Sequence, residues 1–369
     1  MQSYINAIGT AVPKHKILQG YAADWMCNAL NIKGKEQKLI HTLYDATGIE
    51  SRYSVLEDFL ADKENFGFFP NTEDLEPFPG VKKRMEIYKA CSLPLASLAI
   101  KNCLENTVIK NAEITHIILA SCTGMYAPGL EIDIIEQLGL NNNIERTCIQ
   151  FMGCYAAFNA LKSADYICRA DKDAVVLVLC IELCSIHFQK TPGRDTIVSN
   201  ALFGDGAAAV LVTGKTQIGN NLRLGPFKCM LASEGKNDMA WQIGDSGFEM
   251  KLSSYVPDII KSGIKNLTDQ LLQNLGLGID QIDYFAIHPG GRRILEVCEE
   301  ELGMTREDNC HAYKILRDYG NMSSPTVLFV INSIFQKLTS IDQNKKILSF
   351  AFGPGLTMES MLLEVVNIN

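Results

Sequence analysis

Three residues far apart in the chain have the types that acyl-transfer chemistry needs. Cys154 follows a glycine and precedes two alanines in Phe151-Met152-Gly153-Cys154-Tyr155-Ala156-Ala157-Phe158. Gly153 permits a tight strand-to-helix turn. A cysteine at a helix start sees unpaired N–H groups and the positive end of the dipole, which lower its pKa toward the nucleophilic thiolate. His288 lies in Ala286-Ile287-His288-Pro289-Gly290-Gly291, at a strand end, where open α/β sheets expose catalytic side chains. Beside a cysteine it can hold the thiolate as an ion pair and donate to a developing oxyanion. Asn321, in Tyr319-Gly320-Asn321-Met322-Ser323-Ser324-Pro325, reads either as a helix N-cap or as a functional amide. As an amide it could stabilise an enolate without acting as a competing acid or base. Taken singly, each also has an ordinary role: an inert buried thiol, a core or turn histidine, a cap.

The elements that would position these residues follow from apolar patterning. Runs of strand length fall at 114–121, 174–181, 207–213, 282–287 and 347–352, and helical patterns at 82–106, 129–138, 155–170, 255–275, 292–302 and 323–338. Their alternation predicts a mostly parallel sheet with helices on its faces. The stretch 59–80, rich in Phe, Pro and acidic residues, reads as an irregular surface excursion. A weak repeat links the halves. Strand, helix and Leu-Gly recur, and the end of each strand is followed 33 residues later by a residue just after Gly at a helix start: Ser121 to Cys154, and His288 to Asn321. The chain is expected to divide near 214–224 into halves 1–218 and 219–369. Packing about a pseudo-twofold axis would bring Cys154, His288 and Asn321 together.

Composition narrows the function. The chain has 369 residues and 47% hydrophobic residues, as a large globular α/β protein does, so disorder and fibrous repeats are excluded. Lys and Arg number 34 against 42 Asp and Glu, a net charge of −8, which argues against nucleic-acid binding but not against a local patch for a phosphorylated ligand. There is no apolar run of about 18 residues, so no membrane span is expected, and Met1-Gln2-Ser3-Tyr4-Ile5 does not open a signal peptide. The twelve cysteines form no Cys-x-x-Cys pair, so no metal site is expected. Ten or eleven of them read as buried, reduced thiols of a cytoplasmic protein.

Five segments carry a family resemblance: Gly153-Cys154-Tyr155-Ala156-Ala157, Ala201-Leu202-Phe203-Gly204-Asp205-Gly206-Ala207-Ala208-Ala209, His288-Pro289-Gly290-Gly291, Tyr319-Gly320-Asn321-Met322-Ser323-Ser324 and Phe352-Gly353-Pro354-Gly355-Leu356-Thr357. In order and spacing they resemble the type III polyketide synthases, the chalcone and stilbene synthase family, and the Met-Gly-Cys-Tyr wording is closer to bacterial members. The resemblance spans nearly the whole chain, including Gly48-Ile49-Glu50-Ser51-Arg52-Tyr53 and Lys83-Arg84-Met85-Glu86-Ile87-Tyr88. It implies a thiolase-type αβαβα fold and a homodimer, with CoA thioesters as substrates and no cofactor. An acyl-CoA starter would be loaded on Cys154. A malonyl-CoA-derived enolate would then extend it, with His288 and Asn321 binding the thioester oxygen, and the product would cyclise to a pyrone or phenol. Phe203 matches a gatekeeper, and Gly353, Pro354 and Gly355 match the cyclisation loop.

Departures concern substrate and product. The second gatekeeper position falls at Met250, and cavity positions fall at Cys122, Thr123, Cys184, His187, Trp241 and Ser323. The bulk of Trp241 and His187 implies a short or redirected pocket. The closing loop, which usually begins with Gly, has Ala351 there. Where plant enzymes carry basic CoA-binding residues, this chain has Lys38, His41, Thr42 and Ala46, and Arg292 and Arg293 are alternative phosphate ligands. A pantetheine arm on an acyl carrier protein is an alternative donor. Three other readings stand beside the first. They are a β-ketoacyl-carrier-protein synthase III-like enzyme making one extension, a catalytically silent thiolase-fold partner and, more weakly, a Cys-His hydrolase.

Overall fold

The computed structural model describes residues 2–191 and 193–368. In chain order the first half carries β1 (Tyr4–Ala11), β2 (His15–Leu18), α1 (Gln19–Ala29), α2 (Lys35–Ala46), β3 (Ser51–Ser54), α3 (Val81–Leu104), β4 (His116–Ser121), α4 (Leu130–Leu138), β5 (Glu145–Gln150), α5 (Ala156–Ala170), β6 (Val175–Leu183), α6 (Arg194–Leu202) and β7 (Asp205–Thr213). The second carries β8 (Gly219–Leu231), β9 (Met239–Gly244), β10 (Gly247–Leu252), α7 (Val256–Gln273), β11 (Tyr284–Ile287), α8 (Arg292–Leu302), α9 (Cys310–Tyr319), α10 (Pro325–Phe335), β12 (Lys346–Gly353) and β13 (Thr357–Ile368).

The main sheet runs β11-β12-β13-β8-β1-β7-β6-β4-β5. It is mixed, not mostly parallel. Only β4/β5, β4/β6 and β11/β12 are parallel, while β1, β7, β8 and β13 pair antiparallel with their neighbours and β6 pairs antiparallel with β7. The links explain this. β12 turns into β13 through Pro354, Gly355 and Leu356, and β7 reaches β8 across 214–218, both too short for a parallel crossover.

β6 and β7 show why their sequences are apolar without a break. Val176, Val178, Cys180, Ala208, Val210 and Val212 enter one core, and the intervening Leu177, Leu179, Ile181, Ala207, Ala209 and Leu211 enter the other. A strand buried on both faces needs apolar residues at every position. Between the halves lie α5, packed on β4, β6, β7 and β13, and α10, packed on β1, β7 and β11. α10 is apolar nearly all round, as a sandwiched helix must be, whereas α5 is amphipathic, burying Phe158, Leu161 and Ala164 and leaving Asn159, Lys162, Ser163 and Arg169 on its less buried side. α3 covers the outer face of β1 and β7, and α7 covers β8 and β13. The result is the layered αβαβα arrangement of the thiolase-type fold.

Two expectations need correction. Residues 59–80 are irregular but not merely superficial. Phe68, Phe69 and Leu75 are buried, and Phe59 and Phe69 pack with Trp25 and Phe188. The Asp58 carboxylate gathers the N–H groups of Gly67, Phe68 and Phe69, which lets this polar-looking stretch fold inward. Fewer cysteines are buried than expected: eight of the twelve, with Cys91 half-buried and Cys148, Cys229 and Cys310 exposed.

Candidate active site

Cys154 sits in a single turn, Gly153–Tyr155, that leads β5 into α5. Gly153 has φ +79, and a Cβ there would collide with the ring of Pro354, so only glycine fits between the nucleophile's turn and the β12–β13 loop. Phe151 and Ser323, at φ +57 and +58, are non-glycine residues held in the left-handed region beside Cys154 and Asn321. Such strain persists where the surrounding structure over-determines it.

Asn321 precedes α10 but does not cap it; Ser324 occupies the N-cap position and Pro325 begins the helix. Instead the Asn321 backbone bridges to the stretch carrying Phe203. Its N–H donates to Leu202 O at 2.9 Å, and its carbonyl accepts Gly204 N–H at 2.9 Å. Its Oδ1 accepts Ser323 N–H at 2.8 Å and its Nδ2 donates to Gly290 O at 3.2 Å, which fixes the amide. Oδ1 then lies 4.0 Å from Cys154 Sγ, within reach of the thiol proton. His288 follows β11 and is held by its N–H to Phe350 O at 2.8 Å. Both its ring nitrogens are buried without a hydrogen-bond partner, and the ring lines the same cavity as Cys154 and Asn321. Buried polar atoms left open in this way mark a place for a ligand atom.

The electrostatics reverse one expectation. The helix start alone would depress the Cys154 pKa, but burial pushes the thiol up to about 11; Ser323 and Asn321 pull it down, and Glu182 pushes it further up. Burial pushes His288 down to about 3, the direction that favours a neutral imidazole.

Glu182, which the sequence reading missed, lies fully buried behind the cavity. Oε2 accepts Cys122 N–H and the Thr123 hydroxyl, each at 2.8 Å, and Oε1 accepts the Ser324 hydroxyl at 2.7 Å, tying the loop after β4 to the start of α10. The available signal was a lone acid near the end of Val175-Val176-Leu177-Val178-Leu179-Cys180-Ile181-Glu182-Leu183. Burial raises its pKa from 4.5 to about 7. Folding therefore binds a proton here. That contribution is complete below about pH 4.5 and is lost as pH rises through about 7, amounting to roughly 3 kcal/mol. Urea unfolding at pH 5 and pH 8 should show Glu182→Gln losing less stability than wild type over that interval. Equal losses would contradict this.

The cavity beside Cys154 has a volume of about 40 Å3, and Cys122, Thr123, Ser323 and Pro354 also line it. Its other walls include Met239, Leu252, Ile294 and Phe352. A second cavity of about 270 Å3 lies alongside, and Cys184, Phe203, Trp241 and Met250 line both. His187 lines only the larger one. Gly353 ends β12 against Tyr155, and Gly355 stands in the following turn. The basic residues are more scattered. Lys38 is exposed on α2 and lines neither chamber. Arg293 pairs with Glu296 and Glu300. Arg292 pairs with Glu296 and also lines a surface groove with Arg306, Lys314 and Arg317, which Asp45, Glu50 and Glu307 line as well. Among the described residues no helix is long and apolar enough to cross a membrane.

A cysteine at the start of a buried helix, facing a histidine and an asparagine from the pseudo-repeated half, defines a condensing enzyme of the thiolase fold. Residues 2–216 match the family described as chalcone and stilbene synthases, N-terminal domain, and residues 228–367 match its C-terminal domain. The chain belongs to this family. It is 32% identical over 367 residues, 98% of this chain and 91% of the relative, to the alpha-pyrone synthesis polyketide synthase-like Pks18 of Mycobacterium tuberculosis. The crystal structure of PKS-I from the brown alga Ectocarpus siliculosus superimposes with a TM-score of 0.91 at 28% identity, covering 99% of this chain and 98% of that one. The C-terminal type III polyketide synthase domain of Steely1, a type I/III hybrid from Dictyostelium, gives 0.90 at 27% identity, covering 99% of each.

Proposed function

We propose that the chain is a type III polyketide synthase, a decarboxylative acyltransferase that extends an acyl-CoA starter with malonyl-CoA and releases a cyclised pyrone or phenol. The observation that carries this is His288, whose two open ring nitrogens share one small, mostly apolar chamber with the Cys154 thiol and the Asn321 amide.

The thiol proton passes to His288 as Cys154 Sγ attacks the starter thioester. The departing CoA thiolate takes that proton back and leaves an acyl group on Sγ. Malonyl-CoA then loses CO2. The electron pair moves onto its thioester oxygen, where the neutral His288 N–H and Asn321 Nδ2 donate to the enolate. Apolar walls favour the loss of neutral CO2 from the charged carboxylate. The enolate carbon attacks the Cys154 thioester, expels the thiolate and leaves a chain two carbons longer on CoA. Phe203 and Met250 stand where that chain would pass into the larger chamber, and Gly353, Pro354 and Gly355 would shape cyclisation. Arg292, with Arg306, Lys314 and Arg317 in the adjoining groove, would meet the CoA phosphates better than Lys38 or Arg293. The substrates are CoA thioesters, the halves 1–218 and 219–369 contribute Cys154 and the His288/Asn321 pair respectively, no cofactor is needed, and the working form is a homodimer. The alpha-pyrone synthesis in the name of Pks18 favours a pyrone.

The test is mass spectrometry of products from purified protein, malonyl-CoA and starters from acetyl through long fatty acyl to aromatic. Cyclised products with two or more extensions are expected. A single-extension β-ketoacyl product would favour a one-step condensing enzyme, and no product with no CO2 release would overturn the reading.

A further inference from the structure

Arg84 is fully buried on α3 and, among the described residues, forms no salt bridge. A buried cation without a counter-ion is costly, so its place needs a reason. Its Nε donates to Pro79 O at 2.9 Å. Its Nη1 donates to Ile186 O and, at 3.2 Å, to Phe188 O, the two carbonyls on either side of His187. Gly247, at φ +117, lets β10 come this close; a Cβ there would stand 2.7 Å from Arg84 Nε.

His187 is the next link. Its Nδ1 accepts Phe248 N–H at 3.0 Å, so Nε2 carries the proton and donates to Thr123 O at 2.7 Å. The ring stacks on Phe248 with centroids 4.2 Å apart and meets the Trp241 edge at 5.7 Å. Trp241 Nε1 donates to Cys122 O at 2.8 Å. Two ring N–H groups thus grip the consecutive carbonyls of Cys122 and Thr123 and latch the β9–β10 hairpin onto the loop after β4. Met250 lies directly opposite Trp241 in that hairpin, with no such tether and a flexible side chain. Both line the two chambers.

We infer that Arg84 is a positioning residue which, through His187, holds Trp241 as the fixed part of the wall between the chambers and leaves Met250 as the moving part, so that it governs how many extension units are added before cyclisation. The inference rests on the polyketide synthase reading. Arg84 lines neither chamber, so its effect should appear in the products and not in the decarboxylation chemistry.

The test compares wild type, Arg84→Met, Arg84→Lys and His187→Phe. Each is assayed for CO2 release from malonyl-CoA, starter KM and kcat, and the ratio of products differing by one extension unit. In Arg84→Met the ratio and the starter KM should shift by about tenfold while CO2 release stays within about threefold. Arg84→Lys, which keeps the charge but loses the two-carbonyl bracket, should fall between. His187→Phe keeps the stack, loses both ring hydrogen bonds and should shift the ratio in the same direction; it carries the test alone if Arg84→Met does not fold. Extension by wild type with an unchanged ratio in every folded variant would overturn this inference and leave the synthase reading intact. Absence of extension by wild type would overturn both.

Discussion

Cys154→Ala should abolish polyketide formation, by at least about three orders of magnitude, because the other thiols lining the chamber are poor replacements: Cys122 Sγ is engaged by the Gly153 N–H, and burial and the Glu182 carboxylate hold Cys122 and Cys184 well above the usual thiol range. Part of the CO2 release from malonyl-CoA should survive, since the enolate oxygen is met by His288 and Asn321 and not by the thiol. Asn321→Ala should lower both activities, each by about a hundredfold, the usual cost of one preorganised oxyanion donor. Radiolabelled CO2 release and product mass spectrometry on the two variants make the comparison. Product from Cys154→Ala, or full decarboxylation by Asn321→Ala, would contradict the assignment of roles.

The second large effect is expected at a residue that does no chemistry. Gly153→Ala places a Cβ on backbone at φ +79 and drives it into Pro354. The left-handed conformation alone costs about 1–2 kcal/mol, and the collision adds a similar amount. Relief requires the Gly153 turn or the Gly353-Pro354-Gly355 loop to move, and either displaces Cys154 Sγ. Urea unfolding should show a loss of about 3 kcal/mol, and condensation should fall at least a hundredfold in the fraction that remains folded. An alanine variant as stable and as active as wild type would show that the turn does not set the site.

Much of the frame was legible in the sequence because burial on both faces leaves unbroken apolar runs, as in β6 and β7. β13 escaped notice because its sequence, Thr357-Met358-Glu359-Ser360-Met361, mixes polar residues into a buried strand. Glu359 is tolerated there because Lys162 of α5 pairs with it at 2.7 Å. β5 escaped for the opposite reason: it is an exposed edge whose Glu145-Arg146-Thr147 looks like a loop. The matched spacing from Ser121 to Cys154 and from His288 to Asn321 pointed to the residues that line one chamber, since duplicated halves place equivalent helix starts at their shared axis. Glu182 left only the trace of a lone acid in an apolar run, and the Arg84–His187 strut was not legible. Their partners are backbone carbonyls, amides and hydroxyls from distant segments, and such partners leave no pattern along the chain. The direction of the Cys154 pKa was misread for a related reason. A helix start is visible in sequence, whereas the depth of burial that outweighs it is not.

The most direct test of the central claim is the mass of the intact protein after brief exposure to the preferred acyl-CoA without malonyl-CoA, followed by peptide mapping. One acyl group per chain on the peptide carrying Cys154, absent from Cys154→Ala and slow to form in His288→Gln, is the predicted result. Product formation with no such adduct, or with the acyl group on another cysteine such as Cys122 or Cys184, would contradict it.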